Sequence, residues 1–183
     1  KAWFQSCNLG GVECNEQEIL NAVYSGPFVS AARAHFSNSR NPHSKMWGKY
    51  LAGKQNRQKW LEEALDWVSH GQIKEYMAEN RQSSDISELK SYFEDVLSWV
   101  QSTFKYHDTQ DGRDWGRLYR EYHEQHYNYA EINSRAKELL NDEDVTKQTG
   151  IWEYLLSKES RAKERLLSIR AFTKAQASRA YEA

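Results

Sequence analysis

The longest regular pattern in the chain runs from Ile86 to Phe104. Ile86, Leu89, Phe93, Val96, Leu97, Val100 and Phe104 recur at spacings of three and four, the repeat that lines one face of an α-helix. Ser83-Ser84-Asp85 places capping side chains ahead of it. The stretch corresponds to roughly nineteen residues, or about 28 Å of helix. Tyr92 and Trp99 widen its apolar stripe, so contacts from two sides are expected and the segment reads as a central strut.

Shorter patterns flank it. Residues 55–69 carry Trp60, Leu61, Ala64, Leu65 and Val68 as one stripe opposite charges, closed by His70-Gly71. Phe28, Val29, Ala32 and Phe36 recur at helical spacing after Pro27, and Met46, Trp47, Tyr50 and Leu51 predict a short helix ending near Gly53. Ile73, Tyr76 and Met77 begin another. Beyond the polar break His107–Asp114, Asp114 should cap a helix that starts at Trp115 and runs to about Tyr127. Ile132, Ala136, Leu139 and Leu140 mark a further helix, as do Ile151, Tyr154 and Leu155, and Thr173 a last one through Tyr181. No strand alternation and no internal repeat is present. The expected fold is all-α, an irregular bundle of about eight to ten helices. The break at 107–114 suggests two lobes, residues 1–106 and 115–183.

The amino-terminal stretch Asn8–Phe28, NLGGVECNEQEILNAVYSGPF, has its own local logic. Gly10-Gly11 supplies a turn that side-chain-bearing residues make poorly. Asn15 and Glu18 have the spacing of a capping box. Ile19, Leu20 and Val23 come next on one helical face, and Gly26-Pro27 stops it.

Composition changes this picture little. The 183 residues are 39% hydrophobic and 28% charged with a formal net charge of −1, so overall charge points neither to nucleic acid nor to a membrane surface. No apolar run is long enough to span a bilayer, and no membrane partner is expected. With two cysteines, Cys7 and Cys14, there is no disulfide framework, which favours a reducing cytoplasm. The two also lack a second pair or a histidine at zinc-finger spacing, so two packed thiols is the plain reading.

Three constellations carry possible chemistry. His123 and His126 lie three apart in HEQH. On a helix they would share a face able to bind a metal, as in a small metal-dependent hydrolase, but the spacing is not HExxH and packing among tyrosines is the plainer reading. Asp108, Asp111 and Asp114 fail the calcium-loop register around Gly112, leaving a turn and a helix cap. The carboxy-terminal run has Lys158, Arg161, Lys163, Arg165, Arg170, Lys174 and Arg179 against three acidic residues, Glu159, Glu164 and Glu182. A basic face of this kind can bind phosphate backbones in a salt-dependent way; its alternative is a solvated helix face with internal pairs such as Glu159–Lys163. Base stacking would require exposed aromatics beside such charge, and only Trp152 among the tryptophans lies near the run.

The order of the motifs resembles the GmrSD-type restriction family. The resemblance rests on Asn8, Gly10-Gly11 and NEQEILNAVYSGPF, then on Ala64–Trp67, Glu75–Met77, Val96–Val100, Asp114–Tyr119, Gly150–Leu156 and Ile169–Phe172. It covers nearly the whole chain, departing where Cys7 and Cys14 replace expected aliphatic residues. Members have an amino-terminal nucleotide domain with a DGQQR-type motif and many carry a carboxy-terminal HNH nuclease; neither signature occurs here. The chain opens at Lys1 without a methionine and ends at Ala183 in an expected helix, so it reads as a fragment.

The resemblance implies a non-catalytic helical connector coupling the two missing flanking domains in a bacterial, cytoplasmic, anti-phage defence protein that cuts DNA. No catalytic residue and no metal ligand is expected here. NTP and a divalent metal belong to the parent, with Asn8, Gly10 and Gly11 as accessories to its nucleotide pocket. Lys158, Arg161, Lys163, Arg165 and Arg170 would contact DNA. The alternative is a stand-alone helical interaction or dimerisation module, a homo-oligomer.

Overall fold

The computed structural model describes residues 16–38, 40–52, 58–105 and 107–170. The Gly10-Gly11 turn, Asn8, Cys7, Cys14, the Asn15 cap and the helix expected after Thr173 lie outside the described residues. Among the described residues the fold is all-α, as the spacing predicts. Its helices are α1 Glu16–Val23, α2 Pro27–Phe36, α3 Ser44–Trp47, α4 Lys59–Ser69, α5 Ile73–Asn80, α6 Ser87–Thr103, α7 Trp115–Tyr122, α8 Tyr129–Asn141 and α9 Ile151–Leu156. Short 3-10 segments cover Asp108–Gln110, Gln148–Gly150 and Arg161–Leu167. Extended pairing among the described residues is limited to one antiparallel bridge, Val145 with Ile169. No helix among them is long and apolar enough to cross a membrane. The chain forms two compact units, Lys1–Ser98 with Asp111–Arg117, and Trp99–Gln110 with Leu118–Ala183.

In the first unit α4 packs on α1, α2 and α5. Its buried face is Trp60, Leu61, Ala64, Leu65 and Trp67, so Trp67 takes the place expected of Val68. The cause is a close approach from elsewhere in the chain. A Cβ on Gly116 would lie 2.3 Å from the Trp67 ring, so the absent side chain leaves room for the indole. α4 ends as its sequence predicts, with His70 in the left-handed region at φ 54° and the Gly71 N–H donating to the Asp66 carbonyl over 2.9 Å.

The centre of this unit is aromatic. The Phe93 ring of α6 lies 5.0 Å from Phe36, 5.0 Å from Trp47 and 5.3 Å from Trp67, edge-on to the first two and stacked on the third. Trp60 meets Trp47 edge-on at 6.1 Å. Beside this apolar centre runs a chain of amides. Gln17 donates to Asn21 (2.8 Å), and the Gln58 carbonyl oxygen accepts from Asn21 (3.4 Å) and from the Ser37 hydroxyl (2.8 Å).

The second unit is built on Trp152. It is fully buried, stands edge-on to Phe104 at 5.1 Å, stacks on His107 at 5.6 Å and donates its indole N–H to the Thr109 carbonyl over 3.1 Å. α8 packs on α9; Ile132, Ala136 and Leu139 of the first and Ile151 and Leu155 of the second are buried. Asn133 ties the end of α6 to this pair: its oxygen accepts from the Lys105 N–H (2.6 Å), and its amide donates to the Thr103 carbonyl (3.0 Å).

Asp114 caps α7, accepting from the Arg117 N–H at 3.0 Å. α7 stops at Tyr122, five residues short of the expected end. The tertiary requirement beyond it is not helical: the Tyr127 hydroxyl reaches the Leu156 carbonyl at 2.8 Å, and Asn128 must be extended to cap α8.

Candidate nucleic-acid interface and the cavity beside it

The basic run begins where α9 ends. Lys158 and Glu159 both adopt left-handed backbone, φ 56° and 55°, and their N–H groups close the helix onto the carbonyls of Leu155 and Tyr154. The chain then continues as the 3-10 segment Arg161–Leu167. Seven residues is long for this tighter helix, whose hydrogen-bond geometry is poor, so tertiary contacts must hold it. Leu167 is buried at 1% exposure and accepts at its carbonyl from the Lys147 N–H (3.0 Å). The Arg170 N–H donates to the Asp144 carbonyl (3.0 Å), beside the Val145–Ile169 bridge. Gly150 lies under the segment so tightly that a Cβ there would sit 1.9 Å from the Leu166 carbonyl oxygen.

The i,i+4 geometry that would join Glu159 to Lys163 therefore does not form. Glu159 instead receives the Arg135 guanidinium (3.1 Å), which also binds Glu138 (2.7 Å). Lys163 is held by Glu153 at 2.7 Å, with Glu121 at 3.9 Å. Arg161, Arg165 and Arg170 are exposed and make no side-chain ion pair among the described residues. The acidic stretch Asp142-Glu143-Asp144 runs beside Arg170, and the exposed Glu164 stands between Arg161 and Arg165 in sequence. Lys158 is also exposed, its ammonium 6.0 Å from the centre of the Tyr127 ring.

Next to this segment lies a cavity of about 340 Å³ lined by His126, Tyr127, Ile132, Arg135, Leu155 and Lys158 among others. Ile132 and Leu155 give it an apolar floor, and Tyr127 an aromatic wall. Burial, then the charge of Glu121, pushes the Tyr127 phenol up to about 12, so it stays protonated and keeps its bond to Leu156. Tyr127 is not among the candidate site residues that the sequence pattern offers. A signal was present: Asn128 and Glu131 have capping-box spacing, with the Glu131 N–H donating to the Asn128 side chain over 3.3 Å. Tyr127 and Ile132 then occupy the positions of a hydrophobic staple.

Trp152, the tryptophan nearest the basic run in sequence, is fully buried and has no face for a base. The two histidines are not on one helix face. His123 lies just past the end of α7, stacks on Tyr119 at 4.2 Å and hydrogen-bonds the Tyr119 carbonyl through Nδ1 (2.7 Å), while His126 lines the cavity. No group of three or more His, Cys, Asp or Glu side chains among the described residues could hold a metal ion.

In the first unit, Glu62, Glu63, Asp66, Gly112, Arg113 and Asp114 line an acidic hollow of about 270 Å³. Two of its carboxylates have cationic partners: Lys59 binds Glu62 at 2.6 Å and Arg117 faces Asp114 at 3.6 Å. Burial first, and then the charges of Asp66, Asp114 and Glu62, raise the Glu63 carboxyl to about 7. The folded unit thus binds this proton more tightly than the unfolded chain. Stability from Glu63 is complete below its ordinary range near 4.5 and is lost as pH rises through 7. With partial solvent screening the loss is on the order of 1–2 kcal/mol. Glu63→Gln is expected to flatten the fall in Tm between pH 5 and 8, by ~2–6 °C at the alkaline end. Thermal melts across that range check this; parallel curves for the two proteins would contradict it.

In comparisons with known proteins, no family model, no curated protein and no solved structure matches the chain.

Proposed function

We propose that this chain is a non-catalytic helical module that contacts nucleic-acid phosphates through the segment Lys158–Arg170, with Arg161 and Arg165 at its centre. The observation that carries the reading is the pairing pattern: Lys163 and Arg135 are taken up by carboxylates, whereas the guanidinium groups of Arg161, Arg165 and Arg170 stand exposed on a backbone fixed by Lys147, Asp144 and Gly150. Guanidinium forks suit phosphate oxygens. A fixed backbone reduces the ordering cost of binding. The wider reading, a connector in a GmrSD-like, nucleotide-dependent DNA restriction protein of bacterial anti-phage defence, is supported by the ordered sequence motifs. Its NTP and metal chemistry would belong to flanking domains, with Asn8, Gly10 and Gly11 as accessories.

Fluorescence anisotropy of a labelled 20-base-pair duplex at several KCl concentrations tests the phosphate reading. The affinity should fall linearly in a log–log plot, with a slope near −0.9 per phosphate neutralised. Arg161→Gln and Arg165→Gln should each reduce the magnitude of that slope by about 1 while leaving the melting temperature unchanged. A wild-type chain that fails to bind at low salt, or variants that bind as wild type, would overturn it.

A second reading, a dimerisation module, draws on Ile19 and Val23 of α1, which are 40% and 44% exposed one turn apart. Two side chains supply little of the ~800 Å² per partner that a stable interface buries, so this reading ranks below the first. Light scattering across concentrations tests it; a monomer throughout removes it.

A further inference from the structure

The phosphate reading leaves the cavity beside the basic segment without a use. It belongs to the same unit, and two of its wall residues, Lys158 and Glu159, lead within two residues into Arg161. We infer that this cavity takes an unpaired nucleobase of a strand whose phosphates lie on Arg161 and Arg165; the inference rests on the phosphate reading.

Four observations converge on that ligand. The volume, about 340 Å³, falls within the ~300–1,000 Å³ of small-molecule sites and leaves room for a planar ring. The floor is apolar, from Ile132 and Leu155. One wall is an aromatic ring locked in place, because the Tyr127 hydroxyl is tied to the Leu156 carbonyl. A fixed ring costs little ordering when a base stacks on it. The rim is polar and close to neutral: Lys158 and Arg135 face Glu131 and Glu159, with Asn128 and His126 adding hydrogen-bonding groups. A neutral base with donors and acceptors on its edge suits such a rim, whereas a phosphate would meet the two carboxylates. The charge for the backbone lies outside the cavity, on the exposed arginines. Aromatic wall and cationic track together are the arrangement of single-strand readers.

A base inside a duplex cannot reach such a cavity without leaving its stack. The site therefore distinguishes an unpaired base from a paired one. Lys158 stands 6.0 Å from the Tyr127 ring centre, so an entering ring would displace its ammonium, which then meets the flanking phosphate.

The test uses the full chain and three labelled duplexes of one sequence: fully paired, with a single-base bulge, and with the bulged nucleotide made abasic. The bulged duplex should bind about five- to a hundredfold more tightly than the abasic one, the range of a lost base–aromatic stack. Tyr127→Leu should remove that difference, and Tyr127→Phe, which keeps the ring, should retain most of it. Melting curves confirm that both variants fold; if Tyr127→Leu does not, the bulged-against-abasic ratio of the wild-type chain decides alone. Equal binding of all three duplexes, with the salt dependence intact, overturns the base site and leaves the phosphate reading standing. Absence of binding to any duplex overturns both. Adenosine monophosphate binding as tightly as the bulged duplex would also overturn the proposal, since the strand would then contribute nothing.

Discussion

Replacing Phe93 with alanine is expected to destabilise the first unit by about 3–5 kcal/mol, the usual cost of removing a buried phenyl group. Phe93 is completely buried, and its ring touches Phe36, Trp47 and Trp67 from three directions at 5.0–5.3 Å. Those partners come from α2, α3 and α4, so a single cavity would loosen three helices against α6. Large rigid rings cannot collapse into the gap as aliphatic side chains partly do, which places the cost toward the upper end. Small domains have only ~5–15 kcal/mol of net stability, so the loss is a large part of the whole. Phe93→Leu retains most of the apolar volume and should cost about half as much. Urea unfolding monitored by tryptophan fluorescence measures both, since Trp47, Trp60 and Trp67 lie in the same cluster. A shift below ~1 kcal/mol for the alanine variant would show that the rings do not pack in this way.

The faces of α2 and α6 were legible in the sequence because their largest apolar residues follow the helical repeat: Phe28, Val29, Ala32 and Phe36 in one, Leu89, Phe93, Val96, Leu97 and Val100 in the other, all buried. Local spacing alone decides such a stripe. In α4 the tryptophan at 67 pointed to the core by its type, but the stripe ran to Val68; that Trp67 displaces Val68 depends on Gly116, some fifty residues away, having no side chain. The end of α7 depends likewise on the bond from Tyr127 to Leu156.

The candidate site divides the same way. The density of basic residues between 158 and 170 was plain in the sequence, but which of them are available was not. Lys163 and Arg161 look equivalent in a string of letters. One is held by Glu153, and the other is not, because Lys158 and Glu159 turn left-handed and set the phase of the Arg161–Leu167 segment. Few residues adopt that region without support, and here it joins local bonds to Leu155 and Tyr154 with the distant Arg135–Glu159 pair. The cavity was hidden for the same reason, although Asn128 and Glu131 announced the cap from which Tyr127 hangs. Asn8, Gly10 and Gly11, outside the described residues, rest on the sequence alone.

Gly150→Ala is expected to lower both stability and binding, and it connects fold to site. The glycine has an ordinary helical backbone, φ −82° and ψ −13°, so an alanine would meet no conformational strain. The obstacle is space: its Cβ would lie 1.9 Å from the Leu166 carbonyl oxygen and 2.6 Å from the carbonyl carbon. Those are backbone atoms of the Arg161–Leu167 segment, so the clash cannot be relieved by rotating a side chain. The segment must move away, taking with it the Lys147-to-Leu167 bond and the Val145–Ile169 bridge. Overpacking of this kind typically costs about 1–3 kcal/mol, equivalent to a fall in Tm of ~2–10 °C for a chain of this size. The larger consequence concerns binding. Arg161 and Arg165 would lose the backbone that spaces them, so duplex affinity at low salt should fall several-fold and the salt slope should become shallower, although no basic residue has been altered. If Gly150→Ala melts with the wild type, the close approach is absent. If it melts lower but binds with an undiminished slope, the arginines do not depend on this support and the phosphate contacts lie elsewhere on the chain.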